Sequence, residues 1–174
     1  SLQLALQVDH DDDLLAFLPQ GNAEVETFYG VNKRFGGLDL ALVGLETDDV
    51  FAPSFLESMR TTTKRLEELE GLAHVLSLTN VEDFSPDDAG GIVAGRLVNA
   101  PPTSVQERDA LAKRVFSRDQ IVGNLVSADG GAALIYCALA NGADPREMAG
   151  RIREVVRADF PATRIIEGGN PFSS

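Results

Sequence analysis

The chain has 174 residues, with 15 Lys and Arg against 27 Asp and Glu and a net charge of -12. Its 44% apolar and 24% charged residues leave enough apolar side chain for a buried core, which excludes wholesale disorder and suits one domain or a tight pair of subdomains. The negative charge repels phosphate backbones and anionic lipid surfaces, and basic residues occur singly or in pairs such as Lys33-Arg34 and Lys64-Arg65, so a nucleic-acid partner is not expected.

The longest uncharged stretch, Gly130 to Ala143, falls short of the roughly 18 to 20 apolar residues that span a bilayer. The chain starts at Ser1 and carries no basic segment followed by a long apolar run, so it is not read as opening with a signal peptide. The expectation is a segment of a longer protein. Cys137 is the single cysteine and leaves the redox compartment open, because many proteins without disulfides work in oxidising spaces.

In chain order, Leu2, Leu4, Leu6 and Val8 alternate and predict a strand or extended arm, followed by the acidic run Asp9-His10-Asp11-Asp12-Asp13. Asn22 suits an N-cap, and Val25, Phe28, Tyr29, Asn32 and Phe35 then follow at helical spacing until Gly36-Gly37. Alternation over Leu38 to Leu45 predicts a strand whose second face is partly covered. Asp48-Asp49 make a turn, Pro53 takes a first helical position, and Phe55, Met59, Leu66 and Leu69 carry a helix to Gly71. Ala73 to Leu78 reads as the next strand and completes a β-α-β unit with parallel strands.

Periodicity weakens from Asn80 to Pro102, where Ser85-Pro86-Asp87-Asp88 make a turn and Gly90-Gly91 precede Ile92-Val93, so this stretch is read as an insertion. Thr103 with Gln106, or Ser104 with Glu107, has the spacing of a capping box before a short helix carrying Val105, Leu111, Ala112 and Val115. Asn124 to Ser127, the Asp129-Gly130 turn and Ala132 to Leu139 have the form of a hairpin. Asp144, Pro145 and Glu147 open a further helix with Met148, Ile152, Val155 and Val156 on one face, ending before Pro161. Ala162 to Glu167 is the last predicted strand, terminated by Gly168-Gly169-Asn170-Pro171. The expected class is therefore α+β, with β-α-β-β-α-β in the ferredoxin-like order. The parts are an N-terminal arm and helix (1–37), a first unit (38–80), an insertion with a short helix and a hairpin strand (81–131) and a second unit (132–174), all in one domain.

Little in the sequence points to catalysis. Asp9, Asp11 and Asp13 alternate as in a calcium loop, but the sixth and twelfth positions, Gly and Glu in an EF-hand, are Leu14 and Gln20. His10 and His74 stand far apart with no Cys pair, so no metal site is expected. Cys137 sits in a nearly all-apolar strand and is read as a buried hydrophobe rather than a nucleophile. Gly90-Gly91 and Gly95 lack the spacing of a dinucleotide loop, and the pairs Asp48-Asp49 and Asp87-Asp88 fall in turns, where Asp serves the backbone. No catalytic residue, cofactor site or metal site is assigned, and an enzyme is not expected.

Several segments, taken in order, resemble the extracytoplasmic porter domain of the resistance-nodulation-division (RND) transporter superfamily, in its MMPL-like and Patched-like exporter branch. They are Leu14-Leu15-Ala16-Phe17-Leu18-Pro19, Phe35-Gly36-Gly37, Val50-Phe51-Ala52-Pro53-Ser54-Phe55-Leu56, Leu69 to Asn80 with its Ser77-Leu78-Thr79-Asn80 end, Ser127-Ala128-Asp129-Gly130 and Gly168-Gly169-Asn170-Pro171. Ala52 stands where that pattern has a capping Ser, and His74 where it has a polar or charged residue.

The resemblance implies a periplasmic domain of a proton-driven inner-membrane exporter, flanked by membrane helices and forming part of the path or docking surface for lipid-like or hydrophobic substrates. Its partners would be a second porter domain and the transmembrane helices of the same parent protein, with a homo-oligomer left open. Proton-coupling acids would lie in those helices, outside this segment. The alternative expectation is a free ferredoxin-like ligand-binding or regulatory module.

Overall fold

The computed structural model describes residues 8–9, 39–86 and 88–173. The strands are β1 (Val8–Asp9), β2 (Leu40–Glu46), β3 (Leu72–Leu76), β4 (Glu82–Pro86), β5 (Ile92–Arg96), β6 (Ala132–Leu139) and β7 (Ile165–Gly168). The helices are α1 (Pro53–Glu67), α2 (Val105–Phe116), α3 (Pro145–Asp159) and the single turn α4 (Asn170–Ser173). The class is α+β. Of the N-terminal arm and helix expected over 1–37, only Val8 and Asp9 lie among the described residues.

Five strands form one sheet in the order β1-β7-β2-β6-β3. β1 runs parallel to β7, while β7, β2, β6 and β3 are antiparallel to their neighbours. β2 and β3, joined by α1, therefore run parallel with β6 between them, and β6 and β7, joined by α3, run parallel with β2 between them. Each β-α-β unit is split by the first strand of the other, so neither unit makes a sheet without its partner.

Helix starts follow local chemistry. Pro53 occupies the first turn of α1, and Ala52, which has no side chain able to cap, is helped by Asp49, whose Oδ1 accepts the Phe51 N–H at 3.0 Å. Ser104 caps α2 by accepting the Glu107 N–H at 3.1 Å, while the Glu107 carboxylate reaches back to the Thr103 N–H and hydroxyl. Asp144 caps α3 by accepting the N–H groups of Arg146 and Glu147, with Pro145 in the first turn. After α1, Gly71 turns the chain at φ 102°, where a Cβ would collide with Met148. Gly169, at φ 92°, lies so close that a Cβ there would overlap the Leu40 carbonyl oxygen.

The apolar residues of β2, β6 and β7 are buried on both faces, which explains why these strands read as nearly continuous apolar runs. Cross-strand partners share a face, so Glu167, opposite Val43, lies on the side where Arg153 of α3 meets it. Tyr136, opposite Leu42, lies on the other side, where its hydroxyl donates to the Asn124 carbonyl of the insertion. α1 and α3 pack together through Phe55 and Phe160, with ring centroids 5.4 Å apart. Leu97, Val98, Leu111, Val115, Ile121 and Leu125 from the insertion join the same core.

Several boundaries differ from expectation. The predicted hairpin strand at Asn124 to Ser127 is reduced to the single bridge Val126–Ala133. β6 already pairs with β2 along its length and with β3 over Tyr136–Leu139, so only its first residues remain open, where Ser127 N–H donates to Ala132 O. A hairpin forms instead between β4 and β5, inside the stretch read as irregular, and β5 is exposed along its whole length, so burial imposes no alternation on it. β3 stops at Leu76 because Ser77 turns its N–H to the Asn80 side chain. The last strand starts at Ile165 rather than Ala162, after Arg157 Nη1 has gathered the carbonyls of Phe160, Pro161 and Thr163. Asn170-Pro171, read as a terminator, opens α4.

Candidate functional site

Two features of the surface are candidates. The first is a shallow open cleft of about 290 Å³ between the start of α1 and the end of α3, lined by Thr47, Ser54, Phe55, Ser58, Asp159 and Phe160 among others. Hydroxyl groups and two aromatic rings give it mixed polarity. Its one carboxylate is committed, since Asp159 Oδ2 accepts the Thr62 hydroxyl at 2.6 Å and Oδ1 accepts Arg65 Nη1 at 3.2 Å. Arg157 shapes the rim through the three carbonyls it holds; burial presses its pKa down, opposed by the charge of Glu167. The lining contains no His or Cys, and its one carboxylate is already bonded within the protein.

The second feature is the β4–β5 hairpin. Phe84 pairs with Ala94, and Ile92 follows two residues before Ala94, so all three lie on one face, with Val93 on the other. Phe84 is 61% exposed, Ile92 76% and Val93 50%, against near-zero exposure along β2 and β6. The arm is anchored at its base. Arg118 forms a two-pronged bond to Asp83 at 2.8 and 3.0 Å, and Leu97 N–H donates to Val81 O. The Arg118 guanidinium holds the Asp83 carboxyl below its ordinary pKa, against the opposing push of burial.

Two arginines of α2, Arg108 and Arg114, also fasten the insertion. Arg114 Nη2 donates to Leu97 O at 2.8 Å, and Arg108 Nε donates to Asp49 at 2.9 Å while its guanidinium lies 5.8 Å from the Phe51 ring centre. Burial pushes Asp49 up, but the hydrogen bonds from Arg108 and the Phe51 N–H outweigh it and leave the pKa lowered. The hairpin is thus an apolar projection on a fixed base.

The residues singled out in the sequence do not converge. Cys137 is fully buried in β6, where burial pushes its thiol up to about 12 and removes the thiolate a nucleophile needs. His74 is exposed on edge strand β3, and Asp88 is exposed beside the hairpin loop. Asp129 shapes its turn by accepting the Ser127 hydroxyl and the Gly131 N–H, which hold its carboxyl low. His10, Asp11, Asp13 and Asp87 lie outside the described residues, and Asp9 is in β1. Among the described residues no group of three or more His, Cys, Asp or Glu side chains could hold a metal ion. No helix among them is long and apolar enough to cross a membrane.

Sequence reasoning missed the apolar arm. The usable signal was the five-residue gap with Gly90-Gly91 between Phe84-Ser85-Pro86 and Ile92-Val93-Ala94, the spacing of a hairpin with a longer loop. A scan against protein-family models and a search of curated proteins give no match to this chain.

Proposed function

We propose that the chain is an extracytoplasmic porter domain of an RND-superfamily exporter of the MMPL-like or Patched-like branch, built on a ferredoxin-like sheet. The observation that carries this is the strand order β7-β2-β6-β3, formed by two interleaved split β-α-β units in the chain order that the motif series leads one to expect. An exposed apolar arm, beside a recess whose one carboxylate is already bonded to Thr62 and Arg65, supports a role in contact. In this reading the domain stands on the periplasmic side of the inner membrane and forms part of the path or docking surface for hydrophobic or lipid-like molecules. Its angle to neighbouring domains changes as access alternates.

The test is the reading frame on either side of the segment. The proposal expects apolar runs of about 20 residues next to it, and a frame with none on either side overturns it. That outcome would leave the free ligand-binding module, for which the cleft predicts a saturable rise in thermal stability with a small molecule that binds it.

A further inference from the structure

The Ser77-Leu78-Thr79-Asn80 stretch belongs to neither candidate site, and it lies beside the exposed edge strand β3. Which backbone groups of β3 face outward follows from the bonds of β6. Leu139 N–H donates to Asp39 O on the β2 side, whereas Ala140 N–H donates to Gly71 O on the β3 side. Backbone groups alternate in direction along a strand, so Cys137 turns to β2, and Val75 opposite it turns its carbonyl away from β6. Two residues on, the Ser77 N–H points the same way.

The Asn80 side chain takes both groups. Its Nδ2 donates to Val75 O at 2.8 Å, and its Oδ1 accepts the Ser77 N–H at 2.8 Å. One carboxamide offers a donor and an acceptor where the peptide group of another strand would otherwise lie. Its orientation is held by a second Nδ2 bond to Glu67 Oε2 at 3.3 Å. The turn beneath it is held by Asn80 N–H and Val81 N–H donating to Ser77 O. A buried ring of hydroxyls pins that turn to α1, with Thr63 and Ser77 2.7 Å apart, Ser77 and Thr79 3.0 Å, and Thr79 and Thr63 3.2 Å. Toward its start, β3 is offset by a register shift between Leu72 and His74.

We infer that Asn80 is a built-in strand surrogate that closes the β3 edge against pairing with a second copy of this chain. The need is physical. The strand Leu72-Ala73-His74-Val75-Leu76 carries no Lys, Asp or Glu to repel a partner, and open edges of that kind pair with one another.

The experiment compares wild type, N80A and N80S of the full chain, each alone and with A73C as a probe on the exposed edge. Cys137 is buried and does not compete for cross-linking. N80S adds no charge to the edge and keeps a small polar side chain in the turn, too short to span both Val75 O and the Ser77 N–H, so it serves where N80A fails to fold. In dilute N80A the Ser77 amide should exchange about tenfold faster, the loss of roughly one hydrogen bond. Both variants should sediment as dimers at concentrations where wild type is monomeric, and A73C should form a disulfide-linked dimer under mild oxidant only in the Asn80-substituted backgrounds. Folded variants that sediment like wild type and do not cross-link would overturn the inference. So would equal cross-linking with Asn80 in place.

Discussion

The two β structures of this protein use the same backbone pairing and end in opposite environments. β2 and β6 match at seven positions and are buried on both faces, while β4 and β5 match at five positions, with β5 exposed along its length and Phe84 of β4 exposed beside it. Strand pairing therefore does not by itself bury anything. Burial comes from what covers the faces: on one side of the large sheet α1 and α3, on the other the insertion that meets Tyr136. The hairpin has no such cover among the described residues, and an isolated two-stranded ribbon is marginal in water. Its persistence rests on its base, where Arg118 grips Asp83.

The largest effect should come from the covered sheet. Leu45 is fully buried and pairs with Ala133 and Ile165, so Leu45→Ala should cost about 3 kcal/mol by leaving a cavity, measured as a lower midpoint in urea melts. An unchanged midpoint would mean that the sheet interior is looser than its burial implies.

A smaller loss should follow at the edge of the same core. Glu167 is 1% exposed and accepts two bonds from Arg153, at 2.7 and 2.9 Å. Arg153→Ala leaves that carboxylate buried without its main cation and should cost about 2 kcal/mol. Arg153→Lys should recover only part of this, because an ammonium cannot make the two-pronged contact.

The smallest effect on global stability should come from the hairpin, and it should be local. Asp83 has a lowered pKa, so its contribution is fully present above the ordinary carboxylate value of about 3.9 and is lost as pH falls through the lower folded value. Hydrogen exchange should therefore show β4 and β5 loosening on acidification below about pH 4. Arg118→Ala should abolish that dependence and raise hairpin exchange at neutral pH, with the global melting midpoint scarcely moved. A global transition that moves as far as it does for Leu45→Ala would erase the distinction between the two regions.

Much of the large sheet was legible because its causes are local. Pro53 and Pro145 mark helix starts, Asp144 and Ser104 cap as their spacing implies, and the runs in β2 and β6 are apolar on both faces because both faces are covered. The hairpin strand expected at Asn124 to Ser127 shrinks to one bridge with β6 for a reason no local pattern carries, which is that β3 takes the Tyr136–Leu139 half of the free edge of β6. The exposed arm was illegible from the opposite side. Phe84, Ile92 and Val93 are apolar residues on a structure that buries none of them, so hydrophobic patterning had nothing to report.

The candidate site shows the same division. The burial of Cys137 could be read from its all-apolar surroundings, whereas the commitment of Asp159 to Thr62 and Arg65, 97 and 94 residues away along the chain, could not.

By itself, the sequence determined the α+β class, the positions of α1, α2 and α3 and the strands of the core, because capping, proline geometry and apolar periodicity act within a few residues. Tertiary structure alone decided that β3 leaves only the start of β6 to the insertion, that Arg108, Arg114 and Arg118 fasten the insertion and that Asn80 sits on the edge of β3. Each of these depends on which backbone edges and charged groups remain available once other strands have paired, and that availability is a property of the assembled sheet rather than of any segment.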